Sequence, residues 1–177
     1  MDVHVESSLR TAEKILRGIP ESVTRPEPHR LDADVARDRL LEAASALAQA
    51  HWGYLAAITG LDLQAAKAPA RVATLAAPAA AQDAGPQVER LEALYHFCEE
   101  AAVVTLRVRV PCDDARIPSV CSVIPYATLY ERELMEMFGI IVEGTPVPDR
   151  LLLPDDWPEG VYPMRKAFSG LAAGQKK

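Results

Sequence analysis

Three cysteines, four histidines and the adjacent aspartates Asp155 and Asp156 are the residues whose types could hold a metal or move a proton. Cys98, Cys112 and Cys121 form no C-x-x-C, the close spacing that sets two thiolates of an iron–sulfur or zinc site on one turn. They read as ordinary thiols of a reducing compartment. His4, His29, His51 and His96 are scattered and make no H-E-x-x-H. Asp155 and Asp156, with Arg150 or Arg165, are the best candidates for catalysis. Adjacent acids on an extended segment point apart, however, and no His or Lys is placed to complete a dyad. Glycine patterns that cradle a dinucleotide or a phosphate are absent. The expectation is a chain with no catalytic residue, no metal ligand and no cofactor of its own.

Large apolar and charged side chains instead concentrate in residues 129–168. The stretch opens as an amphipathic helix, with Pro125 suited to a first helical position. Leu129, Tyr130, Leu134, Met137, Phe138 and Ile141 make its apolar stripe. Glu131, Arg132, Glu133 and Glu136 lie opposite, with Arg132 and Glu136 four apart and able to pair. Gly139 stands where a left-handed cap is wanted. Pro146, Pro148, Pro154, Pro158 and Pro163 then exclude a regular helix or a central strand. This stiff arm carries Leu151, Leu152, Leu153, Trp157, Tyr162 and Met164, and it needs a surface to lie on, its own core or a neighbour's. An ordered wrap is favoured because little chain freedom is lost on docking.

Upstream, Leu9, Ala12, Leu16 and Ile19 predict a short helix from Ser8, stopped at Gly18. Pro26 and Pro28 confine any strand near residues 21–31 to a sheet edge. Asp32 or Asp34 is the expected cap of a second helix that runs to Gln49. Residues 52–63 alternate with apolar side chains on both faces, as in a covered central strand, with Gly60 marking a bend or bulge. Residues 64–87 are Ala- and Pro-rich and read as a surface insertion. Residues 91–98 fit helix or strand alone. The clean alternation of 103–110, with Val104, Leu106, Val108 and Val110 inward, settles a hairpin turning at Glu99-Glu100. Arg107 and Arg109 point outward as solvated edge residues, and Ser119 is a plausible helix cap.

These elements predict an α+β, two-layer fold: a small mixed β-sheet packed by two or three helices, with an extended Pro-rich C-terminal arm. Residues 1–168 form one domain and 169–177 a frayed tail. The 49% hydrophobic content argues against disorder. Net charge of −6 disfavours nucleic acid, which wants clustered Lys and Arg. No apolar run is long enough to cross a bilayer, and the start lacks a signal-peptide layout. The chain therefore reads as cytoplasmic, held near a membrane only through other subunits.

The string YERELMEMFGI, followed by EGTPVPDRLLLPDDWP and YPMRKAF, resembles the signature end of the thirty-kilodalton (C-type) subunit of respiratory complex I. That family reads E-R-E, two variable positions, D-M-F-G-I, then G-H-P, R-I-L-L-P-E-D-W and P-L-R-K-D. Val110-Pro111, the run from Ile117 to Val120, and LAAITGLD at 55–62 also fit. Thr145 stands in place of the family's His, Glu136 and Ala167 in place of Asp, and Val147-Pro148-Asp149 in place of Asp-Leu-Arg. LPDDWPEGVYPMRK is similar to the counterpart in membrane-bound [NiFe] hydrogenases and formate hydrogenlyases, which tilts the reading to that branch.

The resemblance implies an accessory subunit that braces a large catalytic subunit and its iron–sulfur partner. The alternatives are the equivalent subunit of NADH:quinone oxidoreductase and a free-standing binding adaptor. The [NiFe] centre and the iron–sulfur clusters are then expected in partner subunits: the large subunit, a small iron–sulfur subunit and a ferredoxin-like one. The expected docking residues are Tyr130, Glu131, Arg132, Glu133, Phe138, Gly139, Arg150, Asp156, Trp157, Arg165 and Lys166.

Overall fold

The computed structural model describes residues 3–63 and 90–171; the expected insertion at 64–87 and the tail from 172 lie outside them. Helix α1 (Val3–Ile15) buries Val5, Leu9 and Ala12. It begins upstream of Ser8 because Val5 extends the same stripe. A bend at Gly18, with φ of 79°, leads to the hairpin β1 (Ser22–Glu27) and β2 (Arg30–Asp34). The 3-10 turn Arg37–Arg39 enters α2 (Leu40–Gln49), which buries Leu40, Ala43, Ala44 and Leu47. Strand β3 (Tyr54–Asp62) follows, then β4 (Arg90–Glu99) and β5 (Ala102–Pro111). Short strands β6 (Arg116–Pro118) and β7 (Ile141–Glu143) pair in parallel on either side of α3 (Thr128–Phe138) in sequence.

The main sheet has the order β1-β2-β5-β4-β3, antiparallel throughout except for the parallel β2–β5 pair. This is the mixed α+β architecture expected. Strand β1 is an edge, wholly exposed, and its register breaks between Thr24 and Glu27 beside Pro26. A bulge and a proline there discourage pairing with another chain. Residues 91–98 are strand, and the hairpin turns at Glu100-Ala101, with Glu100 at φ of 51°.

Four expectations about the sheet need correction. Asp32 and Asp34 cap no helix; they are residues of β2, drawn into the sheet by parallel pairing with β5. Strand β3 is an edge rather than a central strand. Its irregularity falls between Leu55 and Ala57, where the bulge shifts the alternation so that Leu55, Ile58 and Gly60 are buried. Gly60 is small for a packing reason, since a Cβ there would lie 2.3 Å from the Phe138 ring. Finally, β5 is central, so Arg107 and Arg109 are not edge residues.

One sheet face carries Leu31, Ala33, Ala93, Tyr95, Phe97, Val104, Leu106 and Val108, packed with the buried residues of all three helices into a single core. The opposite face is charged. Arg107 bridges Glu92 at 2.8 Å and Asp32 at 2.9 Å, Arg109 bridges Glu92 and Asp34, and Arg30 bridges Asp32. Glu92 is 0% exposed and Asp32 3%. Fork-shaped guanidiniums from neighbouring strands replace the water these carboxylates lose.

His96 shares this charged face, its Nδ1 3.1 Å from the Thr105 hydroxyl. Burial, reinforced by Arg30, holds its imidazole below the ordinary range. Between that lowered value and the ordinary value of about 6.5, the unfolded chain binds a proton that the folded chain does not. Stability from this site is therefore intact above about pH 6.5 and falls as pH drops below it. Urea midpoints are expected to decline between about pH 7.5 and about pH 5.5, and less steeply in His96→Gln. Parallel slopes for the two proteins would remove His96 as the cause.

Candidate functional site

Helix α3 is the platform of the site. It follows a 3-10 turn at Pro125–Ala127 with proline at its start. It ends at Gly139, whose φ of 67° puts it in the left-handed region, with its N–H on the Met135 carbonyl. The buried side chains are Glu131, Leu134 and Phe138, while Leu129 is 51% exposed and Ile141, on β7, is 46% exposed. The apolar stripe is thus rotated from the one expected, and Glu131 is corrected from the solvated face to the core.

The Glu131 carboxylate, 0% exposed, accepts the Ser119 hydroxyl at 2.8 Å, the Val120 N–H at 2.8 Å and the Cys121 thiol at 3.2 Å. Ser119 does not cap α3; its oxygen also receives the Cys121 N–H. Burial raises the Cys121 thiol, and Glu131 adds to the shift. Burial likewise pushes the Tyr95 hydroxyl well up, again with Glu131 contributing. A buried thiol kept protonated beside a carboxylate is a poor nucleophile. The cluster ties the turn before α3 to the helix.

The outer side of α3 grips the arm. Arg132 and Glu136 do not pair with each other. Arg132 donates to the carbonyls of Asp149 and Arg150, and Glu136 accepts the N–H groups of Leu151 and Leu152. Two side chains one turn apart thereby satisfy four successive residues of a backbone that has no strand partner. Arg150 then donates to the carbonyls of Pro154, Asp155 and Trp157. Trp157 Nε1 donates to the Val161 carbonyl at 2.8 Å, and its ring lies 6.2 Å from that of Phe168.

The arm returns to close the end of α3. Met164 N–H donates to the Met137 carbonyl, and Arg165 Nε to the Phe138 carbonyl. The last carbonyls of a helix lack intrahelical partners and attract cations, so both contacts meet a need of the helix. The Arg165 guanidinium lies 4.7 Å above the Tyr162 ring. Lys166 N–H donates to Asp62 Oδ2, which ties the arm to β3.

Tyr162 lies against Gly139, where a Cβ would stand 2.3 Å from the ring. Gly139→Ala is expected to lower stability by about 1–2 kcal/mol through left-handed strain alone, and to displace Tyr162 as well. Urea titration checks the first effect. Faster proteolysis within 144–168 checks the second, and an unchanged cleavage rate would show that the arm does not depend on this contact.

Of the expected docking residues, Glu131 and Phe138 are buried. Tyr130, Arg132, Gly139, Arg150, Trp157 and Arg165 are partly exposed, and Glu133, Asp156 and Lys166 are exposed. The polar contacts of Glu131, Arg132, Arg150 and Arg165 above are all within the chain. Sequence reasoning missed Ser119 and Cys121 as partners of Glu131. The signal was helical phase, since Glu131 stands three residues before Leu134 and seven before Phe138, the phase that is buried. It also missed Glu136 as a backbone acceptor.

Among the described residues no group of three or more His, Cys, Asp or Glu side chains converges as a metal site would require. No described helix is long and apolar enough to cross a membrane. A cavity of about 300 Å3 lies between α1 and the β4–β5 turn, lined by His4, Ser8, Thr11 and Glu99, and no residue of α3 or the arm lines it.

The segment that α3 and the arm occupy lies within a longer match to a known family. The family model for the respiratory-chain NADH dehydrogenase 30 Kd subunit matches residues 33–173. The chain belongs to that family. Within the 30 Kd subunit family it is similar to the C-type subunit of the F(420)H(2) dehydrogenase of Methanosarcina mazei, 31% identical over 168 residues, which cover 91% of this chain and 92% of that one. It is also similar to the beta subunit of the membrane-bound hydrogenase of Pyrococcus furiosus, 39% identical over 92 residues, 51% of this chain and 53% of that one. The match to the C-type subunit of the NADH-quinone oxidoreductase of Saccharopolyspora erythraea, 42% identical, covers 49% of this chain and only 35% of that protein. The matched stretch thus spans about half or less of the length of these last two relatives. Among solved structures, a chain of the membrane-bound sulfane sulfur reductase, an archaeal respiratory membrane complex, superposes with a TM-score of 0.63 at 25% identity, covering 96% of this chain and 90% of that one.

Proposed function

We propose that this chain is a non-catalytic subunit of the peripheral, cytoplasmic arm of a complex-I-related membrane-bound oxidoreductase, and that it braces the large catalytic subunit and its iron–sulfur partner. One observation carries the reading. The segment that resembles the family's signature end is built as a clasp on an extended arm, in which Arg132, Glu136 and Arg150 are engaged with backbone. Electron transfer between subunits requires fixed distances, so a rigid brace has functional weight without chemistry of its own. The [NiFe] centre and iron–sulfur clusters belong, on this reading, to the partners, with a ferredoxin-like subunit among them.

The hydrogenase branch is supported by LPDDWPEGVYPMRK and by the similarity to a membrane-bound hydrogenase subunit. The longer match to an F(420)H(2) dehydrogenase subunit favours the second reading, a dehydrogenase of the NADH:quinone type. Purification of the tagged full-length chain from its own host, with mass spectrometry and metal analysis, tests both. A co-purifying large subunit with stoichiometric nickel supports the hydrogenase. A nickel-free assembly that oxidises a reduced nicotinamide or deazaflavin supports the second reading. A chain that turns over a substrate alone, or assembles with neither, overturns the proposal.

A further inference from the structure

We infer that the buried hydroxyls of Tyr95 and Thr145 and the carboxylate of Glu131 together hold one internal water molecule, at the joint between the sheet, α3 and the root of the arm. The inference stands on the core of this chain and does not depend on the subunit reading above. Tyr95 is 0% exposed, and its hydroxyl has no hydrogen-bond partner among the described residues. The Thr145 hydroxyl, two residues beyond β7, is buried without a partner as well. An unbonded buried hydroxyl is costly, and native interiors satisfy such groups with protein or with ordered water.

The fold brings the three groups to one place. Phe138 stands over Gly60, which pairs with Ala93. Glu131 is about two turns before Phe138 on the buried side of α3. Tyr95 is the next core-facing residue of β4 after Ala93. Glu131 and Cys121 are accordingly the charged groups that act on the Tyr95 hydroxyl. Thr145 lies beside the same Cys121 thiol, and that thiol donates to Glu131.

The hydrogen-bonding balance selects water. Glu131 already accepts from the Ser119 hydroxyl, the Val120 N–H and the Cys121 thiol. A carboxylate offers about four acceptor positions, so one further donor is accommodated. A water gives one hydrogen to that carboxylate and still bonds both hydroxyls, the roughly three bonds that an internal water makes. A bare cation would instead meet the positive ends of the dipoles that already point at Glu131. The water supplies a further donor to a buried carboxylate, and it ties the first residues of the arm to the sheet.

The test uses the full-length chain. A high-resolution crystal structure is expected to show one density peak at hydrogen-bonding distance from the Tyr95 oxygen, the Thr145 oxygen and a Glu131 oxygen. No peak, a direct bond between two of these groups, or a peak within a metal–oxygen shell overturns the inference. In solution, Tyr95→Phe removes the hydroxyl and keeps the ring. With water bonded to that hydroxyl, the folded-to-unfolded ratio from urea denaturation is expected to fall about fivefold. An unchanged or increased ratio would mean that the hydroxyl is an unsatisfied burden, and overturns the inference. Thr145→Val keeps the side-chain shape and removes the second hydroxyl. Because both hydroxyls bond one water, the double variant is expected to lose less than the product of the two separate losses. A loss equal to that product would show that they share no water, and overturns the inference.

Discussion

Glu131→Ala is expected to destabilise the protein by about 3 kcal/mol, seen as a lowered urea midpoint and a melting temperature lower by about 6–12 °C. The carboxylate is 0% exposed, and no cation appears among its hydrogen-bond partners. Its oxygens accept instead from a hydroxyl, a backbone N–H and a thiol. Alanine removes the acceptor and leaves the Val120 N–H and the Ser119 hydroxyl buried. Such orphaned groups cost about 1–3 kcal/mol, and the emptied volume adds to that. Glu131→Gln keeps the shape but turns one acceptor into a donor that faces donors, so a loss of about 2 kcal/mol is expected. Should both variants melt with the wild type, the carboxylate would have no part in anchoring the turn before α3.

The second large effect lies on the charged sheet face. Arg107→Leu is expected to cost about 3 kcal/mol, the lower end of the range for breaking a buried ion pair. The substitution takes one guanidinium from Glu92 and Asp32, which are 0% and 3% exposed, and leaves Asp32 with Arg30 and Glu92 with Arg109. The lower end applies because Arg107 is itself 26% exposed and Arg109 still reaches Glu92 at 3.1 Å. The Arg107 guanidinium is held above its ordinary range, with Glu92 the first cause. Adding Glu92→Gln and Asp32→Asn to Arg107→Leu should recover at least about 1 kcal/mol, since the penalty comes from uncompensated charge. The measurement is a thermodynamic cycle by urea denaturation, with Arg107→Leu as one arm and the paired Glu92→Gln and Asp32→Asn as the other. Strict additivity of the substitutions would show that these groups do not act as a network.

Much of this protein was legible in one dimension because the signals were local. The alternation of residues 103–110 defined a strand, Pro26 an edge, and Gly139 a left-handed helix end, each through the conformations that the residue itself allows. The order of residues in 129–168 was enough to point to the family. What the linear pattern could not show was where burial is compensated. Glu131 looked like a surface residue because a lone carboxylate belongs in water; three donors from residues 119–121 make its burial tolerable. Arg132 and Glu136 looked like a helical ion pair because they are one turn apart, but the arm's unpaired backbone offers each a better partner. Asp32 and Asp34 looked like helix caps until β5 came alongside and paired them with arginines. Periodicity reports which residues prefer to leave water. Only the folded chain decides which polar groups can leave with them, because that depends on donors and acceptors far away in sequence.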